Sequence, residues 1–178
     1  MPERTSLLFS WLNTWRRDER RGCLVDIFVA PAAGQPMHRL SQARCLPGRG
    51  IEGDRYALGK GHWTKTDGCE LTLITQQDIE RGKRRGQLSF ADGEHRRNLV
   101  VDGIRLEVFR GHRVRIGPVV CEFHRLRPPC GYLDRLLQAG AGRALGKGAG
   151  IGLRVLQEGV IRVGDPVEVL VDREGPQQ

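Results

Sequence analysis

Apolar residues fall along this chain in short blocks, many of them closed by glycine, proline or aspartate. Residues 23–30, CLVDIFVA, are rich in β-branched and aromatic side chains and stop at Pro31. A block of that length and composition predicts a buried strand. The more polar residues 39–45 are a second candidate strand. Residues 71–74 (LTLI) and 98–101 (NLVV) predict two more, and residues 104–106 continue past an Asp102-Gly103 turn. In residues 112–116 polar and apolar positions alternate, as in a strand buried on one face. Gly117-Pro118 then turns the chain into residues 119–123, where Val119, Cys121 and Phe123 share a face by the strand period. Residues 153–156 and 160–163 are joined by a turn at Gln157-Glu158-Gly159. Gly164-Asp165-Pro166 turns into a last strand at 167–171.

Helical periodicity is rarer. Thr75, with Asp78 three residues on, is close to a capping box and predicts a short helix ended by Gly82 and Gly86. Pro128-Pro129 break the preceding strand and open a helix over residues 130–139, with Tyr132, Leu133, Leu136 and Leu137 as its apolar stripe. Leu8, Trp11, Leu12 and Trp15 share one helical face, so residues 5–20 predict an amphipathic helix. Short strands with regular turn signals, and no long helices between them, argue against a Rossmann-type sheet. The expected fold is mainly β: a closed or partly open barrel of about eight strands with two or three short helices.

Composition supports this reading. Glycine supplies 24 of 178 residues, well above the usual share of about 7%. Each interior glycine costs a helix about 1 kcal/mol against alanine, so a helical bundle is excluded. Residues 22–171 are read as one domain, 1–21 as an N-terminal extension and 172–178 as a frayed tail. A chain of this length buries enough surface to fold without disulfides. The five cysteines (Cys23, Cys45, Cys69, Cys121 and Cys130) include no C-x-x-C pair. Reduced thiols in a cytoplasmic protein are the expectation, rather than a secreted scaffold or a zinc site. No apolar run approaches the ~20 residues of a membrane span. The net charge of +8 suggests anionic partners. The basic clusters at 16–21 and 81–85 lack the interleaved aromatic residues that stack bases, which argues against nucleic acid.

Three places could carry chemistry. Cys130 sits where the prolines start a helix, with Arg125 and Arg127 just upstream. Helix N-termini and nearby cations favour the thiolate, which can attack, carry sulfur as a persulfide or ligate a metal. The alternative is a structural cysteine in a corner. Arg96-Arg97-Asn98 offers two guanidinium forks and an amide at a strand entrance, suited to a phosphate and a heterocycle, or simply a solvated strand end. The loop containing Gly53-Asp54-Arg55 is glycine-rich and long, as anion-binding nests and ordinary turns both are. His95 and His124 lie near these places as candidate proton donors.

Taken together and in order, these motifs resemble the MOSC domain family, named for the C-terminal domain of molybdenum-cofactor sulfurases. They are Gly53-Asp54-Arg55, Arg96-Arg97-Asn98-Leu99-Val100, the strand ending in Pro128-Pro129-Cys130, Gly150 to Arg154, and Ile161-Arg162-Val163-Gly164-Asp165. The resemblance covers residues 22–171. It implies a barrel-like fold and handling of the molybdenum cofactor (molybdopterin), a pterin dithiolene with a phosphate. It implies that Cys130 binds molybdenum or carries sulfur, with Arg97, Asn98, Arg96, Asp54, Arg55, Gly53, Gly150 and Arg154 near the cofactor. Members often show Glu-Pro-Cys or Cys-Pro-Cys where this chain has a second proline. The implied function is cofactor sulfuration or transfer by a stand-alone MOSC protein without the pyridoxal-phosphate domain. The implied partners are a cysteine desulfurase or an acceptor molybdoenzyme. The alternative is a small molybdenum-dependent reductase of N-hydroxylated compounds, served by an electron-donor reductase. A basic nucleic-acid-binding barrel is the distant third reading.

Overall fold

The computed structural model describes residues 19–63, 70–128 and 130–171. The predicted N-terminal helix and the C-terminal tail lie outside these residues. Among the described residues eleven strands form: β1 (Arg21–Val29), β2 (His38–Leu40), β3 (Gln42–Leu46), β4 (Gly50–Ile51), β5 (Leu71–Thr75), β6 (Leu99–Asp102), β7 (Arg113–Ile116), β8 (Val119–Leu126), β9 (Ile151–Gln157), β10 (Gly159–Arg162) and β11 (Pro166–Leu170). Three α-helices accompany them among these residues: α1 (Gln76–Gly86), α2 (Gly131–Leu136) and α3 (Ala141–Leu145).

The strands run β11-β7-β8-β9-β5-β6-β1, and β1 closes the ring by pairing with β11. This is the mainly β, closed barrel that the apolar blocks predict, with seven strands in the ring and β2 added on the outside of β1. A ring of seven cannot alternate direction all the way round, so one neighbouring pair must be parallel. That pair is β5 and β6. A parallel pair needs a long crossover, and the segment carrying α1 supplies it. A separate three-stranded sheet, β10-β3-β4, lies beside the barrel.

Alternation along the strands divides the core in two. Leu24, Ile27, Leu73, Leu99, Val114, Cys121, Leu153 and Val167 fill one apolar cluster. Phe28, Ile74, Ile79, Phe90, Val100, Leu133 and Leu145 form a second. Neighbours such as Ile27 and Phe28, or Leu73 and Ile74, therefore serve opposite faces. Strands β1, β5 and β6 are buried on both sides, which is why they read as near-continuous apolar blocks.

Several expectations shift. The candidate strand at 39–45 is two strands, β2 and β3. Residues 104–106 do not extend β6, because Leu106–Phe109 forms a turn of 3-10 helix that buries Leu106 and Phe109. Thr75 caps α1 as predicted, its hydroxyl accepting from the Asp78 N–H. Gly82 does not end that helix: a Cβ there would come within 2.8 Å of Leu145, so glycine lets α1 and α3 pack closely. The helix predicted over 130–139 stops at Leu136. The Asp134 carboxylate then accepts the Gly142 N–H at 2.7 Å and helps start α3, which the glycine-rich sequence does not advertise.

Candidate functional site

A cavity of about 480 Å³ opens beside the barrel. This lies within the range of about 300–1,000 Å³ typical of small-molecule sites. Its wall comes from five places: the loop after β4, Thr72 on β5, the residues before β6, the end of β8, and the start of α2. Five arginines line it: Arg55, Arg96, Arg97, Arg125 and Arg127. Tyr56, His62, Trp63 and Tyr132 supply an aromatic wall, and Cys130 joins them. Among the described residues that line it there is no carboxylate. Opposed to five guanidinium groups, the chemistry is that of an anion site with a planar apolar side.

The strand end of β8 aims several of these groups. Its pairing with β9 slips between Phe123 and Arg125. Bulges bend a strand and re-aim its side chains, often beside functional sites. Beyond the slip, strict alternation ends, and the consecutive Arg125, Leu126, Arg127 and Pro128 all border the cavity. Cys130 follows as the N-cap residue of α2, half-buried and making no side-chain capping bond.

Arg97 is fastened across the cavity wall. Its Nε donates to the Ala149 carbonyl at 2.5 Å, and its Nη2 approaches the Arg127 carbonyl at 3.4 Å. Gly150 makes room for it, since a Cβ there would meet the Leu73 carbonyl at 2.5 Å and Arg97 Nε at 3.0 Å. Burial lowers the Arg97 pKa to about 10, and repulsion from Arg127 adds to the shift. Tyr56 and Cys130 act in the opposite sense. Arg96 is lowered as well, by burial first and then by Arg55. These guanidiniums are held close together at an electrostatic cost that a bound anion would relieve.

Arg96 has a left-handed backbone, with φ at +62°. Its N–H donates to Gly93 O, and its carbonyl accepts from Arg55 Nη2 at 3.1 Å. The next turn is held by His95, whose Nδ1 accepts the Arg97 N–H at 3.0 Å. His95 is fully buried against Phe28, and burial, then Arg97 and Arg96, push its pKa down to about 3. A neutral, buried imidazole at that value supports the loop and does not fit the role of proton donor.

Asp54 and Arg55 form a buried pair at 2.9 Å. Asp54 also accepts from the Ala30 and Tyr56 N–H groups, so its carboxylate is spent inside the protein. It holds Arg55 at the cavity rather than lining it. Gly53 takes the positive φ of the turn, +78°, just before this pair. Asn98 is equally committed. Its Oδ1 accepts from the Thr72 N–H and hydroxyl, and its Nδ2 donates to the Phe28 carbonyl at 3.1 Å. The amide thus ties β1, β5 and β6 together. Arg154 stands on β9 with its guanidinium 3.2 Å from His124 Nε2, outside the residues that line the cavity.

So the structure brings Cys130, Arg96, Arg97 and Arg55 to one cavity, with Asp54, Asn98, Gly53 and Gly150 behind them. Sequence reasoning missed the aromatic wall of Tyr56, His62, Trp63 and Tyr132. It cited Arg125 and Arg127 only for their effect on the thiol. Of the other thiols, Cys45 and Cys121 are buried, and burial pushes Cys45 up to about 12 and Cys121 higher than its ordinary value too. Both are inert filling. Cys23 is exposed, and Cys69 lies outside the described residues.

The described residues thus form a closed barrel with an arginine-lined cavity into which the Cys130 thiol is brought. The MOSC domain model matches residues 60–168, more than half of the chain, and the chain belongs to that family, which is associated with the molybdenum cofactor. Gly53, Asp54 and Arg55 precede the matched stretch. The fold is similar to that of the YUAD protein from Bacillus subtilis, with a TM-score of 0.70 and 15% identity over 84% of this chain and 95% of that one. It is also similar to YiiM from Escherichia coli, with a TM-score of 0.61 and 18% identity over 85% of this chain and 70% of that one. YiiM from Geobacillus stearothermophilus gives a TM-score of 0.60 at 16% identity, over 86% and 75%. Among curated proteins none matches the chain in sequence. Among the described residues, no helix is long and apolar enough to cross a membrane.

Proposed function

We propose that this chain binds the molybdenum cofactor in the arginine-lined cavity and presents the Cys130 thiol to it, for sulfuration or transfer of the cofactor. One observation carries the reading: five arginines, an aromatic wall and Cys130 converge on a single cavity in a MOSC domain. The donor set fits the group. Among the described residues, buried N–H groups of Arg96 and Arg125 and the Tyr132 hydroxyl have no hydrogen-bond partner. An anionic ligand with several oxygens satisfies such donors. Tyr56, Trp63 and the stacked His62–Tyr132 pair, with centroids 3.9 Å apart and ring planes nearly parallel, suit a planar heterocycle.

When bound, the cofactor supplies a metal centre that accepts sulfur. The protein's own part is binding, orientation and the thiol. Arg97 and Arg127 neutralise negative charge beside Cys130, and Arg55 is held in place by Asp54. In a sulfur-carrying role the Cys130 thiolate attacks the terminal sulfur of a cysteine persulfide on a donor desulfurase. The donor thiolate leaves, and Cys130 holds the persulfide with no net oxidation or reduction.

Intact-mass analysis after incubation with a cysteine desulfurase and cysteine tests this step. The expected product is one sulfur atom heavier, reverts with reductant, and is absent in Cys130→Ser. Equal labelling of Cys130→Ser would overturn the assignment. Molybdenum retained by wild type, lost from Cys130→Ser and able to reduce a hydroxylamine would instead make the thiol a metal ligand.

A further inference from the structure

The buried donors divide the cavity further. Arg96 is more than nine-tenths buried, and its Nη1 is committed to the Gln35 carbonyl at 2.5 Å. Its two remaining groups, Nε and Nη2, have no partner among the described residues. These two N–H groups lie on one edge of the guanidinium and form the side-on fork that grips two oxygens of one oxyanion. Leaving such a fork buried and unsatisfied costs free energy, so its persistence points to a ligand.

Tyr132 borders the same cavity, and its buried hydroxyl also has no partner among the described residues. Its ring is fixed against His62, with the planes 7° apart. Arg96 touches a second cavity of about 320 Å³ too, but that one carries Asp92 and Glu94, which repel an anion. The first cavity, with its four further arginines, is the side that attracts one.

We propose that the side-on fork of Arg96 and the hydroxyl of Tyr132 form an oxyanion subsite that holds the phosphate of a phosphate monoester, apart from the thiol. A tetrahedral phosphate places two oxygens on the fork and keeps a third for Tyr132. A carboxylate offers only two oxygens in all. The proposal deepens the cofactor reading and takes its biological ligand from it, by assigning the phosphate end of the ligand to Arg96. The subsite itself can be probed without the cofactor.

The experiment is calorimetric titration of the purified full chain with phenyl phosphate and, separately, with inorganic phosphate at constant ionic strength. Phenyl phosphate is expected to bind at least about tenfold more tightly than inorganic phosphate, because the aromatic wall holds the ring. Arg96→Lys keeps the charge but loses the fork, and should weaken phenyl phosphate at least about tenfold. Tyr132→Phe keeps the stacked ring and should weaken it about threefold or more. Arg84→Lys, on the exposed end of α1, should bind as wild type does. Unchanged binding in both Arg96→Lys and Tyr132→Phe would overturn the subsite. Equal affinity for inorganic phosphate would overturn the assignment to a monoester. Failure of the cofactor reading looks different: these titrations succeed while protein from cofactor-making cells carries no pterin.

Discussion

Replacing Asn98 by alanine should destabilise the barrel rather than merely weaken ligand binding. The Asn98 amide is completely buried and joins three strands. Its Oδ1 accepts from the Thr72 N–H at 3.2 Å and from the Thr72 hydroxyl at 2.7 Å, while Nδ2 donates to Phe28 O at 3.1 Å. The hydroxyl can rotate to another acceptor, but the Thr72 N–H and the Phe28 carbonyl lose these partners. Each such buried group costs about 1–3 kcal/mol when left unpaired. A loss of about 3 kcal/mol is therefore expected, with water entering the vacated space setting the lower end. In a chain of this size that corresponds to a fall of roughly 6–12 °C in Tm. Urea unfolding followed by circular dichroism measures it, with an unchanged slope showing that the denatured state is not the cause. A variant within about 1 kcal/mol of wild type, but defective in ligand binding, would refute the clamp and place the amide on the ligand.

Three other variants probe the same scaffold. His95 has a folded pKa near 3 against an ordinary 6.5, so the unfolded chain binds the extra proton between those values. Its contribution is intact above pH 6.5 and is lost as pH falls towards 3, by at most about 1.4 kcal/mol per pH unit. His95→Gln should flatten that part of a urea-midpoint profile, and an identical slope would contradict it. Asp54→Ala strips the buried Arg55 of its carboxylate, and should cost about 3–5 kcal/mol by chemical denaturation, whereas a loss below about 1 kcal/mol would contradict it. Gly150→Ala should destabilise by more than about 2 kcal/mol and weaken anion binding, because its Cβ strikes both the Leu73 carbonyl and Arg97. Normal thermal stability would show that the wall yields.

Much of the barrel was legible because its strands carry local signals. Strand β1 reads as buried since both Ile27 and Phe28 have apolar neighbours on their own faces. Strand β8 shows its period through Val119 and Cys121. The closure of β1 on β11, by contrast, joins Arg21 to Glu168, and nothing local encodes a pairing so distant. Helix α3 is hidden for a related reason. Its start depends on Asp134 and its packing on Gly82, both contributed by other elements.

The site follows the same division. Cys130 and the Arg96-Arg97 pair were legible as chemistry because the residue types are reactive or charged. Asn98 and Asp54 carry the same polarity, but sequence cannot distinguish an amide aimed at a ligand from one spent on Phe28 and Thr72. The slip between Phe123 and Arg125 is equally silent in sequence, so the sequence shows Arg127 only as a neighbour of the thiol. The aromatic wall is silent in sequence because Tyr132 lies far along the chain from Tyr56 and His62, and they come together only when the loop after β4 folds against α2.

The most direct measurement is the pterin and molybdenum content of this protein purified from cofactor-making cells. It should be made beside Cys130→Ser and a double Arg97→Met, Arg127→Met variant of verified fold. Cofactor binding in the arginine-lined cavity requires pterin in wild type, pterin retained in Cys130→Ser, and pterin lost from the double arginine variant. A wild-type protein free of pterin, or a double variant that carries as much as wild type, would contradict it.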